Sequence, residues 1–198
     1  CAAVIAQQPF AAANDILIAL AKKAGGRLAV YGQDFLAFEE HGRMVYQDED
    51  GLTDLPLPSL IGRHQIANAA AAIKAVQMAG FAVSDEEIER GIASASWPAR
   101  MQRLRQGELV KLAPRDSEIW LDGGHNPGAG IVVAEALAGQ DERSERPLFM
   151  IAGMINTKDS TGYFRAFEGL VKHVYAVPVA GSEAGVAPEK LALAAQEA

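Results

Sequence analysis

Stretches whose apolar residues alternate and stretches whose apolar residues recur every three or four positions follow one another along the chain, punctuated by glycine, proline and acidic turns. Residues 3–5 read as a short strand, residues 11–24 as an amphipathic helix closed by Gly25 and Gly26, and residues 28–31 as a second strand. Residues 35–40 and 43–47 alternate around His41 and Gly42, which predicts a hairpin. The acidic, proline-containing stretch 48–58 reads as a loop. An alanine-rich helix is expected over residues 65–79, with Ile66, Ala69, Ala70, Ile73 and Val76 on its apolar side and Gly80 at its end. Ser84 and Glu87 have the spacing of a capping box, so a short helix over residues 85–93 follows.

The pattern changes across residues 94–98, which are small and polar and end in Pro98. Two short strands flank Pro114. After them come a strand at 118–121, a helix at 127–137, a strand at 147–152, a helix at 160–170, a strand at 173–177 and a helix at 188–198. Such alternation predicts parallel βαβ units with right-handed crossovers. The expectation is an α/β chain in two domains, 1–96 and 97–198, the second with a mostly parallel sheet. A strand-first, helix-last order also reads as a fragment of something longer.

Composition narrows the class. Of 198 residues, 49% are hydrophobic and 22% charged, enough to bury a core. No apolar run is long enough for a transmembrane helix, and the first residues lack the basic stretch and cleavage site of a signal peptide. The single cysteine, Cys1, excludes an internal disulfide framework and fits a reducing compartment, so a cytoplasmic monomer without a membrane partner is expected. A net charge of -7 and a pI near 5.1 argue against a nucleic-acid partner. Charge is unevenly spread, however: Arg100, Arg103, Arg105 and Lys111 stand against Glu108 alone. That segment suits either a nucleotide phosphate or a solvated charged turn.

Three segments carry candidate chemistry. Leu121-Asp122-Gly123-Gly124-His125-Asn126-Pro127 lies where a strand ends and a helix begins, the edge at which open α/β sheets bind ligands. Asn126 suits the cap and Pro127 the first helical position. Asp122 and His125 are left to project; a capped glycine-rich turn explains the other residues but not these two. Second, His64 and Asn68 share one face of the alanine-rich helix, and an amide that donates and accepts at once matches the edge of adenine. By spacing alone, an Asn68 that caps or is solvated is the better reading. Third, Arg100 follows the rigid Trp97-Pro98 turn, where a guanidinium can reach a phosphate. A phosphate-cradling loop needs a Gly-Lys pair, which occurs nowhere; no metal-ligand spacing and no Gly-x-Ser-x-Gly elbow is present either.

Taken in order, Gly62–Asn68 with its alanine-rich helix, Trp97-Pro98-Ala99-Arg100-Met101-Gln102, Asp122–Pro127 and Gly153-Met154 leading to Lys158-Asp159 resemble the folylpolyglutamate synthase and dihydrofolate synthase family of the Mur-ligase superfamily. The family usually has alanine where Gly124 stands and an acidic residue where Thr157 stands, and the stretch between Arg100 and Asp122 is longer here, which suggests a hairpin. The resemblance implies the end of a central ATPase domain followed by a Rossmann-like C-terminal domain. It implies an ATP- and Mg2+-dependent ligase that joins L-glutamate to dihydropteroate or folate through an acyl phosphate, with the phosphate loop and metal ligands outside this chain. By carry-over Asn68, with His64 beside it, meets adenine, Arg100 the phosphates and Asp122 the ribose, while His125 lies near the transferred phosphate or the glutamate. A cell-wall Mur ligase and a stand-alone nucleotide-binding module are the competing readings.

Overall fold

A computed structural model describes residues 2–141 and 146–198, apart from the side chains of 140 and 141, and divides into two units, Cys1–Trp97 and Pro98–Ala198.

In the first unit, strands β1 (Ala2–Ile5) and β2 (Arg27–Val30) pair in parallel, and helix α1 (Ala11–Lys23) provides the crossover that parallel strands need. Strands β3 (Leu36–Glu40), β4 (Arg43–Asp48) and β5 (Gly51–Leu55) form an antiparallel sheet in that order. His41 and Gly42 both take left-handed backbone (φ 51° and 75°), the twist a tight two-residue hairpin demands. The expected loop over 48–58 is in part a strand. Thr53 pairs with Tyr46, and Leu55 is 1% exposed, so sheet pairing and burial override the poor strand propensity of Gly51 and Asp54.

Helix α2 (His64–Ala79) lays Ala70 and Ile73 on a core of Phe35, Met44, Tyr46 and Leu55. It ends at Gly80, whose left-handed backbone (φ 79°) turns its N–H back to the carbonyls of Gln77 and Val76. Helix α3 (Asp85–Ser94) carries the expected capping box: Ser84 Oγ accepts from the Glu87 N–H at 3.3 Å, and Glu87 Oε2 accepts from the Ser84 N–H at 2.9 Å. One buried polar cluster joins sheet to helix. Lys74 Nζ lies 3.1 Å from Asp48 Oδ2, with the two side chains 9% and 4% exposed. The Tyr46 hydroxyl lies 3.0 Å from the same carboxylate oxygen. Burial pushes the Asp48 carboxyl up, but Lys74, the Asp50 N–H and Tyr46 together hold it below the ordinary carboxylate range.

In the second unit, β6 (Gln102–Leu104) and β7 (Ile119–Leu121) pair antiparallel across a short helix, α4 (Glu108–Leu112). The strand expected at 118–121 is therefore not parallel to its partner: the chain folds straight back on β6, and that reversal sets its direction. Helix α5 (Pro127–Asp141) leads to β8 (Leu148–Ala152), α6 (Ser160–Arg165), β9 (Val171–Ala176) and α7 (Pro188–Gln196). Strands β8 and β9 pair in parallel around α6, the βαβ unit that the alternation predicts. The second helix is shorter than expected, ending at Arg165, and the chain turns through Gly169 at φ 74° before β9. Val133, Tyr163, Phe164, Phe167 and Leu191 are buried. Helix α5 comes so close to α6 that a Cβ on Gly130 would lie 2.6 Å from the Tyr163 carbonyl oxygen.

Candidate functional site

The loop between β7 and α5 is built by one carboxylate. Asp122 Oδ1 accepts from the Gly124 N–H at 2.6 Å, and Oδ2 accepts from the Met101 N–H at 2.8 Å. The Gly123 N–H donates to the Ala99 carbonyl at 2.9 Å, so residues 99–101 are pinned against residues 122–124. Ala99 and Met101 are both left-handed (φ 54° and 42°), a conformation that costs a non-glycine residue of order 1 kcal/mol. Arg100, held between them, is turned out to solvent. Its guanidinium lies over Gly123, where a Cβ would come within 3.2 Å of Nη1.

His125 is exposed, and its Nδ1 donates to the Gly123 carbonyl at 2.8 Å. That bond fixes the ring and leaves Nε2 facing outward. Asn126 caps α5, with Oδ1 accepting from the Ala129 N–H at 2.9 Å, and the helix begins at Pro127 as its sequence requires. Guanidinium, imidazole and a capped helix N-terminus therefore crowd one edge, a combination suited to an anion. Beneath it lies Tyr163, whose ring approaches Gly124 and whose hydroxyl is pushed up to about 12 by burial and then by the charge of Asp122. Two further cations of the basic segment are paired with carboxylates. Arg103 pairs with Glu118 at 2.9 Å and lies over Trp120, and Lys111 pairs with Glu108 at 2.5 Å.

The first unit gathers the other two candidates. Asn68 Nδ2 donates to Gln65 Oε1 at 3.1 Å, and Gln65 Nε2 lies 2.9 Å from His64 Nε2, to which it donates. The imidazole packs over Gly62, whose φ of 115° and lack of a side chain give it room: a Cβ there would lie 2.5 Å from the ring. Asn68 is exposed and Gln65 buried. Spacing pairs His64 with Asn68 and gives Gln65, the residue that connects them, no role of its own. Its position inside the motif was the available signal. Nothing in the sequence pointed to Tyr163 or to the left-handed pair around Arg100. A groove of about 760 Å3 lined by Arg27, Asp34, Asp48, Lys74 and Gln77 among others holds none of the five candidates. Among the described residues no group of three or more His, Cys, Asp or Glu is placed to hold a metal ion, and no helix is long and apolar enough to cross a membrane.

Fold and site together define an α/β chain with a ligand-type edge at a strand-to-helix loop. No protein-family model matches it. Individual proteins do. The chain is 27% identical over 175 residues to the folylpolyglutamate synthase of Lacticaseibacillus casei, covering 79% of this chain and 37% of that one. It is 34% identical over 151 residues to the dihydrofolate synthase/folylpolyglutamate synthase of Escherichia coli, covering 74% of this chain and 32% of that one. A structure of Mycobacterium tuberculosis folylpolyglutamate synthase complexed with ADP superposes with a TM-score of 0.79 at 28% identity, over 99% of this chain and 42% of the other. By sequence and by fold the chain is kin to the folylpolyglutamate synthase and dihydrofolate synthase family. It spans about a third of the length of the two relatives compared by sequence.

Proposed function

We propose that the chain is part of an ATP-dependent ligase that adds L-glutamate to dihydropteroate, folate or both through an acyl phosphate. Residues 1–96 belong to its ATP-binding domain in this reading, and residues 97–198 to a Rossmann-like ligase domain. The observation that supports it most is the pinned edge of the second unit, where Arg100 and His125 face outward beside the N-terminus of α5. Taken singly, each candidate has chemistry that suits the role this reading gives it. Asn68 keeps its Oδ1 and one N–H for adenine. Asp122 has lone pairs left for ribose hydroxyls after its two backbone bonds. Arg100 offsets phosphate charge, and His125 Nε2 is oriented to meet the transferred phosphate or the incoming glutamate. The described residues offer no site for Mg2+, so no step is assigned to a metal held by this chain.

Assay of the ligase that contains this chain tests the reading. ADP release should require glutamate together with dihydropteroate or a folate, and its absence with both acceptors overturns the proposal. Arg100→Ala should slow that reaction about ten- to a hundredfold, the worth of a charge-assisted hydrogen bond. Arg105→Ala, an exposed neighbour, should change it little. The isolated chain, lacking a phosphate-cradling loop, should turn over no ATP.

A further inference from the structure

The ring of Tyr163 is slotted between Gly130 in α5 and Gly124 in the loop before it. A Cβ on Gly130 would come within 3.3 Å of Cδ2. One on Gly124 would come within 3.3 Å of Cε2, the carbon next to the one that bears the hydroxyl. The hydroxyl end therefore lies toward the loop between β7 and α5. Tyr163 is 6% exposed, yet its hydroxyl bonds to no described residue. Among the described residues no sealed side-chain polar atom lacks a partner, so that oxygen reaches the surface at this loop. A phenyl ring would fill the slot equally well; what tyrosine adds is a hydrogen-bonding group. Burial, and then the charge of Asp122, push its pKa up to about 12, so the phenol keeps its proton and can donate.

Asp122 borders the same spot: the Cβ position that Tyr163 approaches at Gly124 lies 3.0 Å from Asp122 Oδ1. Carboxylate and phenol are thus neighbours that do not bond to each other. The carboxylate also has lone pairs beyond the two given to Met101 and Gly124. A group that meets both must donate to an anion and accept from a phenol at once. A phosphate or carboxylate is repelled by Asp122, and an ammonium accepts from nothing; a hydroxyl does both. Resting on the reading that Asp122 meets the sugar, we infer that Tyr163 is a specificity-determining contact that grips one sugar hydroxyl together with Asp122. It donates to the oxygen that itself donates to the carboxylate.

Calorimetric titration of the ligase that contains this chain, with ADP and with its 2′-deoxy and 3′-deoxy analogues, tests the contact. Wild type should bind one analogue about ten- to a hundredfold more weakly than ADP, because the bonds to Asp122 and to Tyr163 both go with the hydroxyl. Tyr163→Phe leaves the ring in its slot. It should bind ADP about three- to tenfold more weakly, and that analogue as tightly as wild type does. Equal losses for both nucleotides, or no loss for either, would overturn the role of Tyr163, while a wild-type preference for ADP would leave the Asp122 reading standing. Equal wild-type affinity for all three nucleotides would overturn that reading, and the inference with it. Should Tyr163→Phe fail to fold, fluorotyrosine placed at position 163 decides. Its fluorine signal should respond to ADP and not to that analogue, and an identical response to both overturns the contact.

Discussion

At the scale of single residues, close approach separates glycines that matter from glycines that do not. Gly130 and Gly139 both lie within α5, yet a Cβ at Gly130 would meet a backbone oxygen at 2.6 Å and one at Gly139 would meet nothing within 4 Å. Gly130→Ala should therefore cost about 1–3 kcal/mol by forcing α5 from α6, whereas Gly139→Ala should stabilise by roughly 0.4–1 kcal/mol through the unfolded chain. Urea titrations of the two variants check the opposite signs. Asp122 belongs to the same scale. Both its oxygens accept backbone N–H groups, and Asp122→Asn retains only one acceptor. The variant should lose about 1–3 kcal/mol of stability, even without nucleotide, as hydrogen-exchange protection falls at Met101 or Gly124. Unchanged protection at both amides would show that Asp122 does not hold the edge.

Between elements, the Lys74–Asp48 pair is the polar joint of the first unit, tying α2 to the end of β4. Asp48 is depressed below its unfolded value despite its burial, so it contributes stability above an ordinary carboxylate pKa of about 3.9. That contribution is lost as pH falls through the folded value. In Lys74→Met the main counterweight to burial is gone, and Asp48 should become harder to ionise. The variant should lose about 3–5 kcal/mol near neutral pH, and its acid unfolding should begin at higher pH than in wild type. Thermal melts across about pH 3 to 7, where carboxylates titrate, would show the shift. An acid limb that does not move would mean the pair is not what holds Asp48 ionised.

For the whole molecule, each unit carries buried apolar residues of its own: Phe35, Met44 and Leu55 in one, Tyr163, Phe164 and Leu191 in the other. Calorimetry should accordingly resolve two transitions, with Lys74→Met lowering one and Gly130→Ala the other. A single transition moved by both variants would contradict separate cores. Kinship with proteins that are much longer than this chain makes the setting of each unit a matter for the ligase proposed above, where nucleotide-dependent changes in either transition could be followed.

The sequence by itself determined the local architecture where chemistry is short-ranged. The hairpin at His41-Gly42, the stop at Gly80, the capping box at Ser84 and the start of α5 at Pro127 all depend on residues a few positions apart, and all stand where the sequence placed them. So do the β8–α6–β9 alternation and the strand-to-helix loop that holds Asp122 and His125. Tertiary structure decided the rest. Strand β5 exists because Leu55 finds a core, not because its segment favours a strand. The direction of β7 follows from its pairing with β6, a partner seventeen or so residues away that periodicity cannot choose. The left-handed turn that carries Arg100 and the hydrogen bond between Gln65 and Asn68 depend on groups already brought together. Short-range patterns specify an element, but the donor that meets each acceptor is settled only when the chain has folded.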